Sequence, residues 1–361
     1  MTMCVSKSEV IQSLSQVRHP EIQNRNLVEL GMIQEVNLEG DRISVILALP
    51  SLEAPIKQEL MDTVQQTVTG LAEGLQVEVN LTEMTVAQKE AFHSAVREEL
   101  KISPKPSSNI RRVLAVMSGK GGVGKSSVAG LLVSSLRKRG FKVGILDADI
   151  TGPSIPKMFG THQVPVGGPD GILPVESREG IKMMSINLLL PDEGQPVVWR
   201  GPLISGAIQQ FWRDITWGDL DVLAVDLPPG TSDASLTVMQ SLPLDGIVLV
   251  TSPQDLAGMV VRKAANMATG LGVRLLGLVE NMSYLICPKC GEKIDLFGTS
   301  HAEKTARMIG TRLLGHLPLD PQFSALCDEG VIEAYHSQAF EEVTDQVVAL
   351  THIGEGELFP R

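Results

Sequence analysis

The sequence predicts a doubly wound, mostly parallel α/β sheet preceded by a small α+β domain. Three observations predict it: apolar runs alternate with helical patterns after residue 110, a glycine-rich loop follows the first run, and a segment rich in proline and serine precedes it. Continuous apolar strands are typical of sheets that helices cover on both faces. Ligand sites in such sheets lie at the carboxyl ends of the strands.

The first hundred residues carry the signals of a compact α+β domain, assigned to residues 1–100. Apolar residues at helical spacing and runs that alternate like strands follow one another, with a Glu-Gly-Asp turn at 39–41. The predicted helices are Ser8–Val17 and Ile56–Leu71, and the predicted strands are Met32–Leu38, Arg42–Leu49 and Val77–Leu81. Residues 101–110 are assigned to a linker because they contain prolines and serines and offer little to bury.

The larger domain, assigned to residues 111–361, alternates strand and helix signals. Its predicted strands are Val113–Ser118, Val143–Leu146, Val222–Val225, Ile247–Val250 and Leu275–Val279. Helical patterns lie between them, at Ser127–Arg139, Leu203–Arg213 and Leu256–Thr269. This alternation predicts a doubly wound parallel sheet.

Charge and composition restrict the possible partners. The formal net charge of −11 is spread along the chain without a basic block, which argues against nucleic acid or an anionic membrane as the main partner. No apolar run approaches the roughly 18 residues that a membrane span needs, and residues 1–20 lack a signal-peptide core. Four cysteines are too few for a disulfide framework, so we expect a cytoplasmic location.

Residues 119–126 fit the phosphate-loop pattern G-x-x-x-x-G-K-[ST] at every fixed position, between an apolar strand and a helix. Backbone N–H groups of such a loop surround a polyphosphate, and the helix N-terminus adds positive charge. Lys125 would contact the β- and γ-phosphates and Ser126 would ligate Mg²⁺. The residues predicted to bind the nucleotide are Gly119, Lys120, Gly121, Gly122, Val123, Gly124, Lys125, Ser126, Ser127, Asp226, Gly230 and Asn281.

Polar residues follow three other predicted strands. Asp147 and Asp149 come directly after the second strand, where a carboxylate can orient an attacking water or hold Mg²⁺ through water. Asp226 closes a later apolar strand, which is the Walker-B arrangement, and Gly230 follows in a stiff Pro-Pro-Gly turn. Asn281 offers a donor and an acceptor to the edge of an adenine base.

Cys287 and Cys290 form a C-x-x-C pair, which is half of a metal or cluster site. Tetrahedral zinc and a cubane iron–sulfur cluster both need four ligands, and no second pair occurs. A twofold dimer would supply two more thiolates by symmetry. A redox dithiol and a structural zinc knuckle remain open alternatives, and the isolated Cys4 and Cys327 are interpreted as ordinary small residues.

The loop KGGVGKS resembles the deviant Walker A loop of the MinD, ParA, nitrogenase iron protein and Mrp ATPases. In that class the extra lysine, here Lys120, crosses a dimer interface to reach the partner's nucleotide. The blocks KGGVGKSS, DADITGPSIP, VVWRGP, DLPPGTSD, ENMSY and CPKCG resemble, in this order, the Mrp/ApbC family of iron–sulfur cluster carrier ATPases. The N-terminal domain resembles the small iron–sulfur assembly domain that often precedes them.

The resemblance implies a slow ATPase that carries a labile 4Fe–4S cluster between the subunits of a homodimer. It implies catalytic roles for Lys120, Lys125 and Asp149, Mg²⁺ near Ser126, Asp147 and Asp226, and a cluster on Cys287 and Cys290. Its partners would be apo iron–sulfur proteins and a cluster assembly scaffold. In the N-terminal domain, His19 stands where an aspartate is usual and Ala54 where stand-alone members often carry a cysteine, which favours docking over metal binding.

Two other functions remain possible from the sequence. A positioning ATPase of the MinD/ParA type should carry a basic or amphipathic membrane- or DNA-binding element, yet Arg361 is the one cation from Val343 onward. A zinc-bridged adaptor would use the same cysteines without cluster transfer. The metal that the protein holds separates this adaptor from a cluster carrier.

Overall fold

The computed structural model describes residues 5–19, 25–50, 57–72, 74–85, 87–89, 91–92, 108–190, 199 and 201–354. The chain divides into two compact units, Met1–Lys101 and Ile102–Arg361. Several residues singled out in the sequence lie outside the described ranges: Cys4, Ala54, Val197, Val198, Arg200, Arg361 and most of the predicted linker. The boundaries predicted for the two domains stay a prediction.

The N-terminal unit contains a three-stranded sheet and helices. Among the described residues, α1 (Lys7–Leu14) and α2 (Lys57–Thr69) are its longer helices, and its strands are β1 (Ile33–Glu39), β2 (Arg42–Leu49) and β3 (Gln76–Glu83). Strand β2 lies in the middle, antiparallel to β1 and parallel to β3. Leu60, Val64 and Val68 recur every fourth residue on α2 and are buried with the β2 side chains, which confirms the predicted α+β module.

The C-terminal unit contains most of the strands. They are β4 (Asn109–Ser118), β5 (Val143–Asp147), β6 (Gly167–Gly168), β7 (Gly171–Ile172), β8 (Val175–Glu176), β9 (Lys182–Met184), β10 (Asp219–Asp226), β11 (Gly246–Thr251), β12 (Leu275–Ile286), β13 (Lys293–Ile294) and β14 (Leu313–Pro318). The large sheet has the order β13-β12-β11-β4-β10-β5-β9-β8, and β14 also pairs with β12. All its pairs are parallel except β8–β9 and β12–β13.

Helices cover both faces of this sheet. They are α3 (Lys125–Lys138), α4 (Ile155–Met158), α5 (Gly201–Asp214), α6 (Asp233–Ser241), α7 (Asp255–Gly270), α8 (Ala302–Met308), α9 (Pro321–Asp328) and α10 (Gln338–Thr351), with 3-10 turns at Ile186–Leu189 and Ile332–Ala334. Of the helices in the described ranges, none combines the length and the hydropathy that a membrane span requires.

The central strand β4 shows why the sheet is covered twice. Val113, Ala115 and Met117 belong to a core with α5, α6 and α7, whereas Leu114 and Val116 belong to a second core with α3 and α10. Successive side chains of a strand point to opposite faces, so a continuous apolar run needs a helical layer on each side. The predicted doubly wound, mostly parallel fold is therefore confirmed.

Two predicted boundaries near the functional residues differ from the structure. Strand β12 was expected to end at Val279, but it continues through Asn281 to Ile286, so Asn281 lies inside a strand. Its polar residues Glu280 and Asn281 interrupted the apolar pattern that marked the strand. Helix α3 starts at Lys125 rather than Ser127, which places Lys125 and Ser126 in its first turn.

Candidate nucleotide site and cysteine hairpin

The sheet brings three strand ends together at one edge. Strand β10 lies between β4 and β5, so Asp226 is in register with Val116 on one side and with Asp147 on the other. Strand β4 ends at Ser118, where the glycine-rich loop begins. The loop and the two predicted carboxylates are therefore neighbours because of the strand order alone.

Glycines shape the loop between β4 and α3. Gly122 and Gly124 both have φ of +77°, a left-handed conformation that residues with a Cβ rarely adopt. A Cβ on Gly119 would lie 2.5 Å from the backbone of Val260 in α7, so this glycine allows the loop to pass directly against that helix. The loop is therefore shaped both by its own glycine turns and by its packing against α7.

Lys125 forms a buried ion pair at the start of α3. Its Nζ donates to Asp226 Oδ1 at 2.6 Å and to Ser126 Oγ at 3.2 Å, and its side chain is 6% exposed. Among the described residues, Asp226 Oδ2 has no hydrogen-bond partner although it is buried. An unpartnered carboxylate oxygen near a serine hydroxyl is a donor set that fits Mg²⁺.

Asp147 and Asp149 organise the segment after β5. Asp147 accepts hydrogen bonds from the N–H groups of Asp149 (3.2 Å), Ser154 (3.1 Å) and Ile155 (3.3 Å) and from Ser185 Oγ (3.2 Å). Both of its oxygens are thus used to hold the loop, which fits a supporting role better than a direct metal contact. Asp149 Oδ1 in turn accepts from Thr151 Oγ1 and the Gly152 N–H.

Burial raises the pKa of two carboxyl groups at this edge, Asp147 and Asp226. Burial, together with the negative charge of Asp226, raises the pKa of Asp147 to about 7. Burial also raises the pKa of Asp226, and Asp149 adds to it, whereas Lys125 and Ser126 lower it. Since three carboxylates share one ammonium group, a divalent cation would relieve the excess negative charge.

Two predicted residues make contacts within this chain. Lys120 is partly exposed, and its Nζ donates to Gln254 Oε1 at the start of α7. It does not join the buried Lys125–Asp226 pair. Gly230, with φ of +79°, donates its N–H to Ser118 O at 2.9 Å, so the expected contact with a γ-phosphate would need this bond to break.

Asn281 contacts the phosphate loop directly. Its Nδ2 donates to Val123 O at 3.0 Å, and a Cβ on Gly124 would collide with the same atom. A small, mostly apolar cavity opens beside it and next to Ser127. Its other lining residues include Leu131, Leu317, Pro318, Phe323 and Tyr335.

Cys287 and Cys290 lie in a turn that continues from β12. Ile286 pairs with Lys293 of β13, the Cys287 N–H donates to Glu292 O, and the Gly291 N–H donates to Cys287 O, both at 2.9 Å. Gly291 closes the turn with φ of +75°. The chain from residue 286 to residue 301 has almost no buried side chain; we call residues 286–294 the cysteine hairpin.

The two thiols are free, and Cys290 is exposed. Backbone N–H groups of Cys290 and Lys289, with the Cys290 side chain, lower the pKa of Cys287, which favours the thiolate that binds metals. Among the described residues, no group of three or more His, Cys, Asp or Glu side chains is arranged to hold a metal ion. Burial raises the pKa of Cys327 to about 11, which fits its interpretation as an ordinary residue.

Several residues at this edge were not predicted from the sequence. Gln254, Phe323 and Tyr335 were not singled out, and neither was the contact between Glu280 and His316 described below. The sequence did contain a signal for Phe323 and Tyr335. Asp320 and Pro321 follow an apolar run, and an aspartate N-cap followed by proline is typical of a helix that begins after a strand. This junction lies at the same edge of the sheet as the phosphate loop.

Family models match both parts of the chain. The NUBPL iron-transfer P-loop NTPase family matches residues 109–351, and an iron–sulfur cluster assembly protein family matches residues 7–81. The first match covers more than half of the chain and contains the phosphate loop, the three aspartates and the cysteine hairpin.

Individual relatives agree with these matches. An iron–sulfur cluster carrier protein of Synechocystis sp. is 39% identical over 327 residues, which cover 89% of each chain. Another, of Methanocaldococcus jannaschii, is 43% identical over 273 residues, or 74% of this chain and 91% of the relative. A nucleotide-binding protein of Archaeoglobus fulgidus, solved in complex with ADP, superimposes with a TM-score of 0.59 at 46% identity and covers 64% of this chain and 91% of its own. The chain therefore belongs to the NUBPL iron-transfer family of P-loop NTPases, as its resemblance to the iron–sulfur cluster carriers indicated.

Proposed function

We propose that this protein is an ATP-hydrolysing carrier that holds a labile iron–sulfur cluster between two copies of the chain and transfers it to apo-proteins. The observation that carries the proposal is the cysteine hairpin: two free thiols on an exposed turn, without a third ligand in the described part of the chain. The same chain carries a complete phosphate loop. The names of the relatives and the match of the N-terminal unit support the same function.

The nucleotide half of the proposal uses the loop and the first turn of α3. The loop N–H groups and Lys125 would contact the β- and γ-phosphates, while Ser126 and the free oxygen of Asp226 would hold Mg²⁺. When bound, the metal supplies charge neutralisation. Before the nucleotide binds, the ion pair with Asp226 holds the Lys125 ammonium group in place at 2.6 Å. When the nucleotide binds, Lys125 must exchange this contact for contacts with the phosphates.

The base would bind beside Ser127, where the cavity of about 20 Å³ must widen to admit it. Leu317, Pro318 and the edge-to-face pair Phe323 and Tyr335, whose ring centroids are 5.0 Å apart, offer apolar surface to a planar ring. Asn281 Oδ1 would accept from an exocyclic amine while Nδ2 keeps its bond to the phosphate loop. This arrangement supports adenine over a base that presents a carbonyl there.

Asp149 is proposed to position the attacking water, with Asp147 holding its loop. Asp149→Asn should therefore lower the hydrolysis rate by on the order of 10²-fold, because an amide cannot accept the proton of water as a carboxylate does. Nucleotide affinity should be largely retained, since the loop and Lys125 are unchanged. Single-turnover hydrolysis and equilibrium binding measure the two effects, with Asp328→Asn on the surface as the control. Equal losses in rate and affinity would indicate a structural role instead.

Lys120 is proposed to reach the nucleotide of the partner subunit. Mixing Lys120→Ala subunits with Lys125→Ala subunits should then restore hydrolysis above either parent, because one site of each mixed dimer has its own Lys125 and the partner's Lys120. Activity of the re-equilibrated mixture is the measurement, and exposed Lys142→Ala serves as the control. No recovery in mixed dimers would place Lys120 in its own chain, bound to Gln254 as the structure has it.

Transfer of the cluster is tested directly with an apo-enzyme that needs a 4Fe–4S cluster. The full-length protein, reconstituted with iron and sulfide under anaerobic conditions, should activate such an enzyme faster than the same amounts of free iron and sulfide. A chelator that captures free iron should leave this activation intact. Activation that the chelator abolishes would mean release into solution, and the carrier function would be wrong.

A further inference from the structure

Strand β12 contains a kink between its two functional ends. Its pairing with β14 shifts register between Glu280 and Tyr284, and Met282 has φ of +57°. A residue with a side chain rarely adopts this left-handed conformation. Such backbone persists only where the surroundings determine it, so the contacts around Met282 need an explanation.

Three polar side chains hold the kink. Glu280 Oε2 accepts a hydrogen bond from Ser283 Oγ at 2.7 Å and lies 2.9 Å from Nδ1 of His316, the residue opposite it on β14. Ser283 Oγ also lies 2.9 Å from the Glu280 carbonyl oxygen, directly across the kink. We call Glu280, Ser283 and His316 the kink cluster.

The kink cluster has a buried carboxylate at its centre. The Glu280 side chain is 2% exposed, whereas His316 is partly exposed to a cavity that Ser300, His301 and Arg307 also line. Burial alone would raise the pKa of Glu280, but hydrogen bonds from His316, Ser283 and Ser300 outweigh it and hold the pKa below its ordinary value. A buried carboxylate with this many donors fixes the backbone on which it sits.

The kinked strand connects the two candidate sites without a loop. Asn281, next to Glu280, donates to Val123 O in the phosphate loop, and the same strand runs on to Ile286, after which Cys287 follows. Cys287 then continues the pairing through its bond to Glu292. A displacement of Asn281 that is transmitted along β12 therefore passes through the kink before it reaches the thiols.

We infer that the kink cluster is a positioning device that couples the phosphate loop to the cysteine hairpin along β12. It rests on the proposed function, in which nucleotide and cluster share one molecule. By fixing the left-handed backbone at Met282, the kink cluster makes β12 move as one rigid strand. A displacement of Asn281 then moves Cys287 and Cys290. Without it, each site keeps its residues, but the strand between them bends freely.

The reactivity of the thiols reports this coupling without needing a cluster. The wild-type protein, free of metal, is treated with iodoacetamide with and without a non-hydrolysable ATP analogue and Mg²⁺, and alkylation of Cys287 and Cys290 is followed by peptide mass spectrometry. We expect the analogue to change the alkylation rate by at least about fivefold, the lower end of typical coupling between sites. Ser283→Ala and Glu280→Gln should reduce this ratio to below about twofold while nucleotide affinity is retained.

Ser135→Ala is a matched control, because it also removes a buried serine hydroxyl that donates to a glutamate. Ser135 lies near the C-terminal end of α3, and its Oγ donates to Glu341 of α10 at 2.9 Å. This variant should keep the wild-type ratio. Met282→Gly should also keep the wild-type ratio, because glycine adopts the left-handed backbone without strain. Together, these two control variants show that a loss of stability does not explain the reduced ratio in the kink-cluster variants. The inference is overturned if Ser283→Ala and Glu280→Gln both keep the wild-type ratio of alkylation rates, or if that ratio is near one in the wild type. A wild-type protein that binds no cluster at all would instead overturn the proposed function, whatever the ratio.

Discussion

Replacing Lys125 by alanine is expected to abolish measurable ATP hydrolysis and to weaken nucleotide binding. The ammonium group is the one cation that the structure buries beside the described carboxylates of the site, and in the proposed function it neutralises the β- and γ-phosphates. Removing such a preorganised charge typically costs on the order of 10²–10³-fold in rate. Steady-state phosphate release and titration with a fluorescent ATP analogue measure both losses.

The same change should also lower the stability of the fold. Without Lys125, Asp226 becomes a buried carboxylate without its counter-ion, and breaking such a pair typically lowers the free energy of unfolding by about 3–5 kcal/mol. The double variant Lys125→Ala with Asp226→Asn removes the stranded charge and should recover much of this stability, but no hydrolysis. Denaturant unfolding of both variants separates the two roles. Wild-type hydrolysis by either would contradict the phosphate-loop assignment.

Replacing Cys287 or Cys290 by alanine is expected to remove the cluster and leave hydrolysis in place. A cluster that is held by two thiolates from each of two chains loses half of its four ligands in either variant, because both chains carry the change. The phosphate loop, Asp226 and Asp149 make no hydrogen bond to these thiols, so the ATPase site is unchanged. Visible absorption after anaerobic reconstitution and phosphate release are the two measurements.

Cys327→Ala is the control for these variants, because that thiol is half-buried on α9 and has a raised pKa. It should reconstitute like the wild type. A cluster spectrum that survives in the double Cys287→Ala, Cys290→Ala protein would place the cluster elsewhere. Loss of the spectrum in Cys327→Ala would do the same and bring that thiol into the site.

The fold was predictable because its strands are continuous apolar runs. Strand β4, for example, places Val113 and Leu114 in different cores, and such a run has one favourable solution, a sheet with helices on both sides. The phosphate loop was predictable for a similar reason, since the left-handed backbone at Gly122 and Gly124 requires glycine. In both cases local sequence carries the physical constraint.

The rest depends on contacts between residues distant in sequence. The pairing of Glu280 with His316 arises because β14 lies beside β12, and the two residues are separated by the whole cysteine hairpin. The left-handed backbone at Met282 was not predictable, because a methionine rarely adopts it. The contact of the neighbouring Ser283 with His316 on β14 holds it in place. Lys120 contacts Gln254 through the same kind of distant packing.

Metal content per assembled particle tests the central claim most directly. The full-length protein should be purified without oxygen and examined by native mass spectrometry together with iron, sulfide and zinc analysis. The account predicts a dimer with one cluster, about four iron and four sulfide per two chains, and no dimer-bound cluster in the double cysteine variant. Stoichiometric zinc without sulfide, or a complete cluster in each monomer, would contradict it.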